Sequence, residues 1–157
     1  MNLHDQFVEH INKHRALINK VVFLYADHSE DRNDLRQEII GQAWRSYKSF
    51  RGESKFSTWL YRIAVNIAIS FIRQHQRRKA HDLPQPNKVT NPSEEKELLE
   101  RILRVLNPVE KSVVLLMIDG YKQPEIADIL GLTEINTRTK VHRIRKKLKE
   151  HGFDQFT

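Results

Sequence analysis

QPEIADILGLTEINTRTKVHRIRKKLKE, residues 123–150, reads as two helices joined by a tight turn. Glu125 to Leu130 has the composition of a short helix with Pro124 at a tolerated first-turn position, and Gly131 gives the backbone the freedom a sharp turn needs. Thr133 is placed to cap a second helix from Glu134. Its apolar stripe is Thr137, Val141, Ile144 and Leu148, a four-three-four spacing that keeps one face buried. Two helices with a short glycine-containing turn make a helix-turn-helix, and the small Ala127 suits a close crossing. With the stripe inward, Ile135, Asn136, Thr139, His142, Arg143 and Lys146 point outward, with Arg138 at the edge. Residues 134–150 hold seven Lys/Arg against two Glu. Such a face suits phosphate contacts, and Arg143, Asn136 and Arg138 carry the donors that read base edges in a major groove. A basic run alone reads as a solvated helix face; the turn before it points to DNA.

Composition sets the outer bounds. A chain of 157 residues can be one ordinary domain or two small ones. It has no cysteine, which excludes disulfides and thiolate-zinc sites. The amino terminus, MNLHDQFVEH, lacks the layout of a signal peptide, and the longest apolar runs, such as Val113 to Ile118, are too short to span a bilayer. A soluble, cytoplasmic protein is expected. The net charge is +7, and its distribution is informative. Residues 1–79 carry 14 basic and 8 acidic side chains, residues 80–133 carry 6 and 9, and residues 134–150 carry 7 and 2. Two basic blocks flanking an acidic middle fit a polyanion gripped at two separated places.

Upstream, every segment has helical period. Residues 3–26 are predicted as one long amphipathic helix on Phe7, Ile11, Ile18, Val22 and Tyr25. His10 and His14, four apart, could share a metal, but lack an evident third ligand, and His14 lies on or beside the apolar stripe. The polar run Asp27 to Asp34 breaks the pattern. A helix from about Asn33 to Phe50 should bury Leu35, Ile39, Ala43, Tyr47 and Phe50, and show Asp34, Gln37, Glu38 and Arg45 on its other face. A polar loop follows, Arg51, Gly52, Glu53 and Ser54. The next helix, about Lys55 to Arg78, should bury Phe56, Trp59 or Leu60, Ile63, Ile67 and Phe71, and it ends in the cluster Arg73, Arg77, Arg78, Lys79. Aromatics beside arginines are how single strands are held. For Phe56 and Trp59 a hydrophobic core is the better account, and for the arginine cluster nucleic-acid contact is.

Residues 80–93 hold three of the five prolines and read as a flexible, extended linker, reaching roughly 45 Å at ~3.3 Å per residue. Ser93 with Glu94 and Glu95 opens a helix with the stripe Leu98, Ile102, Val105 and Leu106. Another begins at Pro108, carries Val113, Leu116 and Met117, and ends at Gly120. The expectation is an all-α protein of two small helical domains, residues 1–79 and 94–157, joined by residues 80–93.

DLRQE (34–38), FRGESKFSTWLYRIAVN (50–66), EIADILG (125–131) and the basic HRIRKKL (142–148), in this order and with a linker before the last two, closely resemble an extracytoplasmic-function (ECF) sigma factor of the bacterial sigma-70 family. The resemblance covers nearly the whole chain. It implies a promoter-recognition subunit with no catalytic activity and no cofactor, whose partners are core RNA polymerase and promoter DNA. By that resemblance Asp34, Gln37 and Glu38 dock on the clamp helices of the polymerase. Arg51, Gly52, Glu53, Ser54 and Asn66 open the minus-10 element and hold an extruded base, and Arg73, Arg77 and Arg78 grip phosphates. Unstacking a base costs only a few kcal/mol when a pocket receives it, so binding can drive melting without ATP. Asn136, Arg138, Thr139, His142, Arg143 and Lys146 match the minus-35 reader, and the linker would thread the RNA exit path. Many relatives are held by a membrane-anchored anti-sigma factor that wraps both domains, an arrangement the linker permits. Thr137 stands where the family usually has valine, and Ile135 and Asn136 replace a common Gly-Thr, which bears on base preference rather than on fold.

Two other functions compete. A stand-alone helix-turn-helix regulator would not bind polymerase and would have no use for the Asp34 to Glu38 motif. A recombinase-like enzyme would use the carboxy-terminal motif only for targeting; the first half shows no strand alternation, no phosphate-binding glycine loop and no carboxylate cluster suited to metal.

Overall fold

Helical periodicity carries through into three dimensions. The computed structural model describes residues 1–79 and 94–153, with side chains of residues 76–79, 95 and 96 outside that description. The expected linker, residues 80–93, and Ser93 as a cap also lie outside it. Among the described residues the order is α1 (Leu3–Lys13), α2 (Arg15–Tyr25), α3 (Ser29–Tyr47), α4 (Phe56–Lys79), α5 (Glu94–Val105), α6 (Pro108–Ile118), α7 (Gln123–Leu130) and α8 (Glu134–Glu150). The chain divides into two compact units, Met1–Pro84 and Gln85–Thr157.

In the first unit, α2 packs against α3 and α4, which also pack on each other, and α1 lies on α2 and α3. The single helix expected over residues 3–26 is instead two. His14 leaves helical geometry at φ −113°, ψ 21°, and its N–H is shared between the carbonyls of His10 and Ile11. The break lets each half face its own neighbour. Phe7 of α1 meets Trp44 and Tyr47 of α3, with ring centroids 5.1 and 5.2 Å apart, while Leu17, Ile18, Val21, Val22 and Tyr25 of α2 are buried.

Helix α3 begins at Ser29 rather than near Asn33, and ends at Tyr47 rather than Phe50. The acidic run taken as a breaker contains its first turn, where Glu30 and Asp31 complement the positive helix end. Arg32 fixes the preceding turn by donating from Nε to the Ala26 carbonyl at 2.8 Å, with its guanidinium 4.8 Å from the Phe23 ring centroid. The expected core residues Leu35, Ile39, Ala43 and Tyr47 are buried; Phe50 is half-buried in the loop.

Helix α4 is rotated from expectation. Leu60, Tyr61, Ala64, Val65 and Ala68 are its buried residues beside Phe56, whereas Trp59, Ile63, Ile67 and Phe71 are half-buried. At 100° per residue the buried arc is turned by about 90° from the one the large apolar residues suggest. Two alanines in the arc explain this, because small side chains let helices cross closely and are buried by the approach itself.

In the second unit α5, α6 and α7 each pack against α8 or each other. Asn107 and Glu110 cap α6 reciprocally. Asn107 Oδ1 accepts the Glu110 N–H and Glu110 Oε1 accepts the Asn107 N–H, both at 2.9 Å, with Pro108 at the first helical position. Of the expected α5 stripe, Ile102 and Leu106 are buried while Leu98 and Val105 are half-buried. Phe153, beyond the last helix, is buried at 4% exposure with the Arg101 guanidinium over its ring; the sequence pattern gave no sign of it.

Candidate nucleic-acid and partner interfaces

The turn between α7 and α8 has the geometry read from the sequence. Gly131 sits at φ 68°, ψ 33°, a region in which a Cβ is strained. The N–H of Leu132 returns to the Ala127 carbonyl at 2.8 Å, closing α7 with a Schellman turn. Thr133 then caps α8, its hydroxyl accepting the Asn136 N–H at 3.1 Å. Thr137, Val141, Ile144 and Leu148 are all buried. The hydroxyl of Thr137 donates to the Thr133 carbonyl at 2.9 Å, so a threonine is accommodated at a fully buried position without leaving an unpaired polar atom.

That stripe fixes the rotation of α8. Asn136, Arg138, Thr139, His142, Arg143 and Lys146 are all exposed, so the six residues expected to read DNA share one outward surface. Lys147 does not join them. Its ammonium is 2.9 Å from Glu110 Oε1, which ties one of the seven basic side chains to the α6 cap.

In the first unit the expected docking residues Asp34, Gln37 and Glu38 are exposed on α3. They form one wall of a cleft of about 470 Å³ with Gly41 and Arg45, and α4 supplies the other wall through Phe71, Gln74 and His75. His75 Nε2 lies 3.2 Å from Asp31 Oδ1 and its ring stacks on Phe71. The contribution of α4 was not legible, because it depends on which turn of α4 lies beside α3.

Arg51, Gly52, Glu53 and Ser54 form an exposed loop with Gly52 at φ 74°. Arg51, Glu53 and Ser54 line a cavity of about 320 Å³ with Ser49, Phe50, Trp59 and Arg62. Trp59 is anchored on one side by Phe50 and Phe56, at centroid distances of 5.1 and 5.2 Å. Trp59, Arg62, Asn66 and Arg73 fall on one line along α4, which the rotation of the helix turns outward, and the last three are exposed. Phe56 is buried as a core residue would be, whereas Trp59 borders the cavity. Asn66 and Arg73 continue the line rather than line the cavity. Arg77 and Arg78 belong to α4, but their side chains lie outside the described residues. His10 stacks on Phe56 at 4.5 Å, and His14 donates from Nδ1 to the His10 carbonyl at 2.7 Å, so both imidazoles are engaged in packing.

Residues 10–78 match the family model of sigma-70 region 2, and residues 96–148 match that of sigma-70 region 4. The chain is 30% identical over 139 residues to the ECF RNA polymerase sigma-E factor of Escherichia coli (strain K12), covering 76% of this chain and 73% of that protein. It is 27% identical over 146 residues to the ECF RNA polymerase sigma factor SigM of Mycobacterium tuberculosis, covering 90% and 74%. The fold is similar to that of the sigma factor RpoE, solved in complex with the anti-sigma factor NepR from Bartonella quintana, with a TM-score of 0.76, 19% identity and coverage of 92% and 95%. It is also similar to CnrH, solved with the cytosolic domain of CnrY, at a TM-score of 0.68 and 23% identity, covering 94% and 87%.

Proposed function

We infer how this chain, which belongs to the extracytoplasmic-function (ECF) sigma factors of the sigma-70 family, distributes its work over its residues. It is an alternative sigma factor, a subunit that directs core RNA polymerase to particular promoters for transcription initiation. Residues 1–79 form the polymerase-binding and minus-10 domain, residues 80–93 the linker, and residues 94–157 the minus-35 domain. Asp34, Gln37 and Glu38 dock on core polymerase. Arg51, Gly52, Glu53 and Ser54 receive an unpaired base of the minus-10 element. Asn66, Arg73, Arg77 and Arg78 follow the displaced strand along α4. Asn136, Arg138, Thr139, His142, Arg143 and Lys146 read the duplex minus-35 element.

The observation that carries this reading is the cavity between the 51–54 loop and Trp59, continued by Arg62, Asn66 and Arg73 on the exposed line of α4. An aromatic edge with flanking cations accepts a base by stacking and its backbone by charge. The chain catalyses no reaction in this scheme; polymerase does the chemistry. It acts in the cytoplasm, where that enzyme works, and none of the described helices is long and apolar enough to cross a membrane. The complexes of the sigma factor RpoE with the anti-sigma factor NepR and of CnrH with the cytosolic domain of CnrY support an anti-sigma factor as a further partner.

Run-off transcription with purified core polymerase and this chain, followed by sequencing of the transcript starts, tests the assignment. Discrete starts sharing two upstream elements are expected. A chain that binds duplex DNA but never associates with core polymerase would instead be a free-standing regulator.

A further inference from the structure

Ile135 is 73% exposed, although isoleucine is a residue that folding ordinarily buries. It occupies the second position of α8, in the turn capped by Thr133. On a helical wheel it lies within roughly 30° of the direction opposite the buried stripe, so it projects farther outward than Asn136 or Arg138. Thr139, His142 and Lys146 continue its line along the helix. The hydroxyl of Thr139 donates to the Ile135 carbonyl at 3.0 Å, so the first two turns of this line present methyl groups more than donors. Arg138 and Arg143 flank it on either side and both are exposed.

An apolar protein partner would face this rim of cations with nothing to gain from it. A DNA major groove supplies phosphates for the rim and, between them, one apolar group on its floor, the 5-methyl of thymine. We propose that Ile135 is a specificity-determining residue of the upstream promoter element, recognising a thymine through its 5-methyl group. The proposal rests on the assignment of α8 as the minus-35 reader. Recognition helices enter the groove with their amino-terminal residues nearest the bases, which is where Ile135 stands. Arg138 and Arg143 hold the backbone or neighbouring base edges while the isoleucine discriminates by burial alone, favouring thymine over cytosine at its position.

The test uses holoenzyme reconstituted from core polymerase and the full chain. Duplexes are selected from a randomised library, and each thymine of the enriched upstream element is then replaced singly by 2′-deoxyuridine, which keeps base pairing and removes only the methyl. At one position wild-type holoenzyme should lose about fourfold in affinity, the effect of unburying one methyl-sized group. Ile135→Ala holoenzyme should bind the thymine and deoxyuridine duplexes equally there. Equal binding of both by the wild type at every position, or a ratio unchanged by Ile135→Ala, would overturn the proposal and leave the promoter-reading role of α8 standing. If no upstream element is enriched at all, that role fails and this inference fails with it.

Discussion

The ammonium of Lys147, on α8, lies 2.9 Å from Oε1 of Glu110, the same oxygen that accepts the Asn107 N–H and closes the α6 capping box. One carboxylate therefore joins the start of α6 to the last turns of α8. Glu110 is 7% exposed, so its charge is largely withdrawn from water and needs both partners. Glu110→Ala should destabilise the carboxy-terminal unit by about 1–2 kcal/mol, the usual loss for a cap. Glu110→Gln, whose amide oxygen still accepts from Asn107, should lose less. Urea unfolding followed by helical circular dichroism checks both, and identical midpoints for all three proteins would show the pair to be incidental.

The same pair divides the cations of α8 into two kinds. Lys146 is exposed and Lys147 is committed to Glu110. Affinity for duplex DNA should fall as salt rises, because each neutralised phosphate releases condensed counterions. Lys146→Ala should reduce the slope of log affinity against log salt by about one, whereas Lys147→Ala should leave the slope unaltered. A flat response of the wild-type protein from low to moderate salt would contradict the electrostatic account of binding.

Arg143 stands exposed on α8 with Asn136 and Arg138, and a guanidinium can pair in bidentate fashion with guanine. Arg143→Ala should weaken promoter binding by about 1–3 kcal/mol and relax selectivity at one base pair. The check is competition binding across single-base variants of the promoter. A loss of equal size on every sequence would make Arg143 a phosphate contact.

Glu38 contributes an exposed carboxylate to the cleft bounded by α3 and by Phe71, Gln74 and His75 of α4. Reversing its charge should lower affinity for core polymerase by about tenfold or more, since like charges brought together at an interface cost several kcal/mol. Folding should be little affected, the usual result for an exposed site. Glu38→Lys protein that competes for core polymerase as well as the wild type would move the docking face elsewhere.

The difference between α8 and α4 shows what can be read from a chain alone. In α8 the apolar residues are few and, Ile135 apart, confined to one side, so only one rotation buries Val141, Ile144 and Leu148 together, and the outward residues follow from it. In α4 apolar residues occupy most of the circumference, Leu60, Ile63, Ala64, Ile67, Ala68 and Phe71 among them, and several rotations satisfy periodicity equally. Weight given to the large side chains selects the wrong one. Trp59 thereby passes from an expected core residue to a position bordering the cavity beside Arg62. His14 is a similar case: the stripe runs through it without interruption, yet α2 must pack on α4 as well as on α3, and the chain breaks there.

Local pattern was sufficient for helix content, the Gly131 turn, the Thr133 cap, the inward stripe of α8 and the order of motifs that places the chain in its family. The first four depend on residues within a turn or two of one another, where propensity and period act directly, and the motif order is read along the chain itself. The packed fold was needed to orient α4, to complete the α3 cleft with Gln74 and His75, to bury Phe153 and to commit Lys147 to Glu110. Those outcomes depend on pairing between groups distant in the chain, such as Glu110 and Lys147, and no periodicity encodes which distant neighbour a side chain will meet.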